Sequence, residues 1–155
     1  MGTKRVGWAR IRKLINENTN PLHHQHGVVV AITGNKTLTA TDGGKRFTIG
    51  SAVAAVTLPT AAVAGSGWSC EFWVNNETAA VTITAPGTDL ILGSVMTSAD
   101  GGTLQLQPAT VIGTEVLTFT GTVVKGDHAK LWCDGTNYFV DGRSRVVDAI
   151  TLAAE

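Results

Sequence analysis

Charge is scarce in this chain. Twelve basic and twelve acidic residues make up 15% of its 155 positions, against about a quarter in an ordinary globular protein. That argues against a disordered polyelectrolyte, and a 43% apolar fraction supplies the core that such a chain would lack. Cysteine is nearly absent. Cys70 and Cys133 are too few for a disulfide framework or a cysteine-based zinc site. Long apolar runs are missing as well. No apolar stretch of roughly 7–15 residues follows the basic N-terminus, so no secretory signal is expected. The segment 51–67 is interrupted by Thr57, Pro59, Thr60 and Ser66, and its small residues do not make a membrane span. The expectation is one soluble domain made in a cytoplasm.

Catalytic motifs are also missing. There is no G-x-S-x-G elbow, and Gly65-Ser66-Gly67 reads as a loop. Asp100-Gly101-Gly102 lacks the Lys-Ser/Thr pair and the helix of a phosphate loop. His128 stands alone in the later part of the chain, and Asp127, Asp134 and Asp141 fall beside glycines or asparagines where turns are expected. A paired-carboxylate site is left open by spacing alone, but no enzyme activity and no cofactor are expected. His23, His24 and His26 are the most tempting metal ligands. A closed zinc site needs four ligands with ordered partners, and no cysteine or carboxylate adjoins them. They read as part of a polar linker, with a metal on an oligomer axis as the alternative.

What is present is an asymmetry. Residues 1–50 hold eight basic residues against Glu17 and Asp42, a net +6; residues 51–155 hold four basic against ten acidic, a net −6. Such a division suggests an interaction arm. The acidic remainder lacks the broad basic face of a nucleic-acid binder. Within 4–17, Trp8, Ile11, Leu14 and Ile15 share one helical face. Gly7 lowers helix propensity by about 1 kcal/mol, and a helix of about 13 residues is marginal in water unless it packs. The segment is therefore expected to be helical when docked. Asn16, Asn18, Asn20 and Pro21 end it. Residues 1–26 read as a basic arm with a linker, and 27–155 as the folded domain.

From Gly27 the apolar period changes to two. Strands are expected at Gly27–Thr33, Lys36–Thr41, Arg46–Ile49, Ala54–Leu58, Gly67–Val74, Ala79–Ala85 and Leu90–Leu92. Others are expected at Thr103–Gln107, Thr114–Val124, Ala129–Cys133, Tyr138–Val140 and Arg145–Ile150. Between them lie turn signals such as Asp42-Gly43-Gly44, Pro86-Gly87, Lys125-Gly126-Asp127, Asp134-Gly135 and Asp141-Gly142. Turns roughly every 8–12 residues predict an all-β domain, an antiparallel sandwich of jelly-roll type preceded by the short helical arm. No helical crossovers are visible, which argues against parallel sheets. No strict repeat is visible, which argues against a solenoid or propeller. Alternation places Trp68, Cys70, Phe72 and Val74 inside, and Ser69, Glu71 and Trp73 outside. It likewise groups Leu117, Phe119 and Val123 on one face. Cys70 and Cys133 read as buried thiols, with a disulfide as the alternative.

Two parts of the chain resemble a known class. Arg5-Val6-Gly7-Trp8-Ala9-Arg10-Ile11-Arg12 and Leu14-Ile15-Asn16-Glu17-Asn18 resemble the start of structural proteins of tailed bacteriophages, marine and cyanobacterial ones above all. Val56-Thr57-Leu58-Pro59, Trp68–Asn75, Val81-Thr82-Ile83, Leu92-Gly93 and Leu131–Val140 resemble the β modules of phage decoration proteins and tail-fibre domains. The resemblance implies an oligomer, often a trimer, and no catalysis. An arm with one compact domain suits a capsid decoration (cement) protein on the virion surface. Its expected partners are the major capsid protein and two further copies of itself, with neither nucleic acid nor membrane. Lys4, Arg5, Arg10, Arg12 and Lys13 would form rim ion pairs on the shell, and Trp8, Ile11, Leu14 and Ile15 the apolar anchor. A tail-fibre or receptor-binding module, stacking Trp73 or Tyr138 on host glycans, is the alternative.

Overall fold

A computed structural model describes residues 28–50, 54–76, 80–98, 104–108 and 113–153. The arm 1–26, with Lys4, Arg5, Trp8, Arg10, Ile11, Arg12, Lys13, Leu14, Ile15 and the three linker histidines, lies outside them. The strands are β1 (Val29–Ile32), β2 (Lys36–Thr37), β3 (Arg46–Ile49), β4 (Ala54–Thr57), β5 (Ser69–Val74) and β6 (Val81–Thr84). They continue as β7 (Ile91–Ser98), β8 (Leu104–Pro108), β9 (Val116–Phe119), β10 (His128–Cys133), β11 (Tyr138–Ser144) and β12 (Ile150–Ala153). One helical turn, α1 (Ala61–Ala64), and a 3-10 turn at Ala40–Asp42 interrupt them.

The strands form two sheets around one core. The larger has the order β1-β3-β5-β10-β11-β7-β8, and the smaller β12-β9-β6-β4-β2. Phe47, Ile49, Phe72 and Leu131 from the first sheet meet Val56, Ile83, Leu117 and Phe119 from the second in a single apolar cluster. Phe47 and Phe72 stack with ring centroids 5.3 Å apart. The all-β sandwich is therefore the architecture, and the inward set Trp68, Cys70, Phe72 and Val74 is buried as alternation requires.

The sheets are mixed rather than antiparallel. β1, β3 and β5 run parallel to one another, as do β2, β4 and β6. The chain alternates between sheets at each step, so the first six strands wind as a short flattened coil. Parallel neighbours need a crossover, and here the crossover is a strand of the opposite sheet. The absence of helical crossovers therefore did not exclude parallel pairing. Nor did the missing repeat exclude a coil, because the turns of this one differ in length. The later strands pair mainly antiparallel, β5 with β10, β10 with β11, β6 with β9 and β9 with β12. β11 and β7 are the parallel exception.

Two local expectations are corrected. Asp141-Gly142 is not a turn but the middle of β11. A Cβ at Gly142 would lie 3.1 Å from both the His128 carbonyl oxygen and Val95 Cγ2, so the glycine lets neighbouring strands approach closely. Arg145–Ile150 is mostly a connection, and the strand begins at Ile150. The cysteines, by contrast, are the free, buried thiols expected of them. Cys70 faces Leu131 in the register and Cys133 faces Tyr138, so no disulfide joins them.

Candidate functional site

The outer face of the larger sheet carries its chemistry in transverse rows set by register. One row runs Val29, Arg46, Glu71, Lys130, Asp141 and Ser94. The next runs Thr48, Trp73, His128, Arg143, Met96 and Leu106. A third runs Ser69, Trp132, Phe139 and Leu92. Successive strand residues alternate faces, so the core partners of these residues point the other way.

Two aromatic stacks stand on this face. Trp132 and Phe139 lie cross-strand with ring centroids 4.0 Å apart and planes 10° from parallel. Trp132 remains 48% exposed. Trp73 lies flat on the His128 imidazole at 4.2 Å and 14°. Cross-strand aromatic pairs fix side-chain direction as well as adding stability. The result is a pre-ordered apolar surface that needs little further ordering on contact.

Between the stacks, Glu71 gathers three donors. Its Oε2 accepts the Trp73 indole N–H and the Arg46 Nε–H, each at 2.9 Å, and its Oε1 lies 3.6 Å from Lys130 Nζ. Partial burial pushes the Glu71 carboxyl up, but the Trp73 hydrogen bond and the charges of Arg46 and Lys130 outweigh it. Its pKa lies below the ordinary glutamate value. The carboxylate thereby holds the Trp73 ring in one orientation.

No family model, curated protein or solved structure matches the chain. The face must be read from its own residues. Trp73, expected to point outward, does so, half-buried by His128. Tyr138, the other aromatic expected at the surface, is in the core, where its hydroxyl donates to the Pro59 carbonyl at 2.6 Å and its ring meets Trp68 edge-on at 5.8 Å. Burial raises the Tyr138 pKa well above its usual value. Tyr138 therefore stacks on no ligand.

Trp132 is the residue that sequence reasoning missed. The signal was available: in His128–Cys133 the charged Lys130 marks the outer phase, and Trp132 two residues on shares it. Asp134 caps a turn by accepting from the backbone N–H groups of Thr136 and Asn137 at 2.7 and 2.8 Å. Those bonds hold its pKa low. Among the described residues, no three His, Cys, Asp or Glu side chains cluster as metal ligands, and no helix is long and apolar enough to cross a membrane.

Proposed function

We propose that this chain is a virion structural protein, a capsid decoration protein that acts by adhesion. The observation that carries the proposal is the ordered aromatic and ionic face of the seven-stranded sheet, led by the half-exposed Trp132 on Phe139. Buried tryptophans anchor protein interfaces, and polar rims exclude water around them. Arg46, Glu71 and Lys130 form a polar band along one side of the Trp132–Phe139 stack. Pairs this exposed are worth about 0–1 kcal/mol each, so they set register more than affinity. The resemblance of both chain segments to phage proteins supports placing this surface on a particle.

In this reading the arm 1–26 folds as a helix over about 4–17 and grips the major capsid protein with Trp8, Ile11, Leu14 and Ile15, ringed by its five cations. The sandwich supplies bulk and associates with two other copies through its edges and outer face. A ligand that binds only the assembled shell stabilises it by RT ln(1 + [L]/Kd), about 2.7 kcal/mol per site at a hundred times Kd. A trimer adds avidity, because each bound arm raises the local concentration of the next.

The test is co-sedimentation with undecorated particles. Trp132→Ala should weaken decoration by about 2 kcal/mol, roughly thirtyfold, as hot-spot tryptophans do. Removal of residues 1–20 should abolish it. Full decoration by both variants would end the reading.

A second reading has one observation in its favour. The flat, exposed Trp132–Phe139 pair also suits stacking on a sugar ring, as in a tail-fibre module that binds host glycans. A glycan array answered by the wild type and not by Trp132→Ala would select it.

A further inference from the structure

Three of the four basic residues in 51–155 converge on one place. Lys125, Arg143 and Arg145 line an open groove of about 460 Å³ together with His128, Met96 and Leu104. The rest of that sequence stretch is strongly acidic, so this concentration of positive charge runs against the local composition.

The groove has one acid, and it is engaged. Asp127 is 2% exposed. Its Oδ2 accepts from the Val124 N–H at 3.0 Å and the Ser144 hydroxyl at 2.9 Å, and its Oδ1 from the Arg145 N–H at 3.0 Å. The Arg145 side chain braces the same turn, with Nε 3.8 Å from Asp127 Oδ1 and its guanidinium donating to the Lys125 carbonyl. Among the described residues, neither Lys125 nor Arg143 forms an ion pair. Both side chains are exposed.

The remaining lining decides the kind of ligand. The hydroxyls are already engaged within the protein. Thr97 donates to the Gln105 carbonyl at 3.4 Å, Ser98 to the Arg145 carbonyl at 3.5 Å, and Ser144 donates to Asp127. A sugar would find few polar partners for its own hydroxyls. What the groove offers is cationic ends on one side and the apolar carbons of Met96 (37% exposed) and Leu104 (66% exposed) on the other. That pattern complements an extended peptide with carboxylates beside apolar side chains. It also repels the cationic arm of a neighbouring copy.

We infer that this groove captures an acidic, apolar segment of a partner protein. The site is separate from the Trp132–Phe139 stack, so the inference goes beyond the adhesive face and stands or falls without it.

The test uses the full chain and a fluorescein-labelled synthetic peptide of alternating leucine and glutamate, read by fluorescence anisotropy. Binding should weaken about tenfold or more in the double variant Lys125→Gln/Arg143→Gln, and should fall with added salt. It should weaken similarly in Leu104→Ser and stay unchanged in Arg46→Gln, whose charge lies on the same sheet face outside the groove. A leucine–glutamine peptide should bind much less well to the wild type, and this arm needs no variant to fold. Absence of peptide binding would overturn the inference. So would equal binding by the double variant, equal binding of the glutamine peptide, or equally effective competition by a glucuronate oligosaccharide. Trp132→Ala, which tests the adhesive face, should leave peptide binding unchanged.

Discussion

Glu71 shows how one side chain joins stability to surface. It is the common acceptor for Trp73 and Arg46 and lies near Lys130, and its folded pKa lies below the ordinary value of 4.5. A carboxylate with a depressed pKa contributes stability that is fully present above the unfolded value and lost as pH falls through the folded one. Wild type should therefore lose stability below about pH 4.5 more steeply than Glu71→Gln, with urea midpoints measured between about pH 6 and pH 3 as the readout. Near neutrality the variant should be less stable by no more than about 1 kcal/mol, because the pairs are half in solvent. Parallel pH curves for the two proteins would remove Glu71 from this role. Tyr138 marks the limit of residue-by-residue reading. It was expected among the exposed aromatics of a glycan-stacking module, but its hydroxyl is satisfied by Pro59, 79 positions away. A partner that distant leaves no mark in the local pattern.

At the scale of elements, alternation located nearly every strand, and β3 falls at the expected residues Arg46–Ile49. Ends were less legible where a residue serves two purposes. Asp-Gly signals a turn at Asp134-Gly135, where Gly135 adopts φ 98°, and yet occupies mid-strand at Asp141-Gly142 because Val95 and Ala129 press against the glycine. Nothing local separates the two. Asp127 had looked like another turn aspartate. It sits in a turn, but buried, and ties the start of β10 to the end of β11 through Ser144 and Arg145. Asp127→Ala leaves the Val124 and Arg145 N–H groups without their acceptor, while the Ser144 hydroxyl keeps the Val146 carbonyl at 3.0 Å, and should destabilise the fold by about 3 kcal/mol. Asp127→Asn keeps one carbonyl oxygen and should fall between the two in thermal melting. A change within about 0.5 kcal/mol for alanine, typical of an ordinary surface site, would show that the tie is dispensable.

Over the whole molecule, the two-sheet sandwich was legible and its winding was not. Period-two patterning reports which face of a strand is buried, and both parallel and antiparallel ladders satisfy it. Sheet order depends on contacts between distant strands. Here it divides the chain into an early half, β1–β6, wound as a coil, and a late half, β7–β12. The halves meet along two seams, β5 with β10 and β6 with β9. Both seams are apolar on the inner side. Leu131 faces Cys70, Ala129 faces Phe72, Ile83 faces Leu117 and Val81 faces Phe119, and all eight are buried. Neither half can separate without exposing this shared core, so the domain should unfold in one cooperative step. Tryptophan fluorescence of a Trp8→Phe variant, which samples Trp68 and Trp73 in the early half and Trp132 in the late half, should follow the same urea curve as far-UV circular dichroism. Leu131→Ala, at the centre of one seam, should lower both midpoints together by the equivalent of about 2–5 kcal/mol. If the two signals part in that variant, the halves are independent folding units, and the seam is a contact between them rather than the middle of one core.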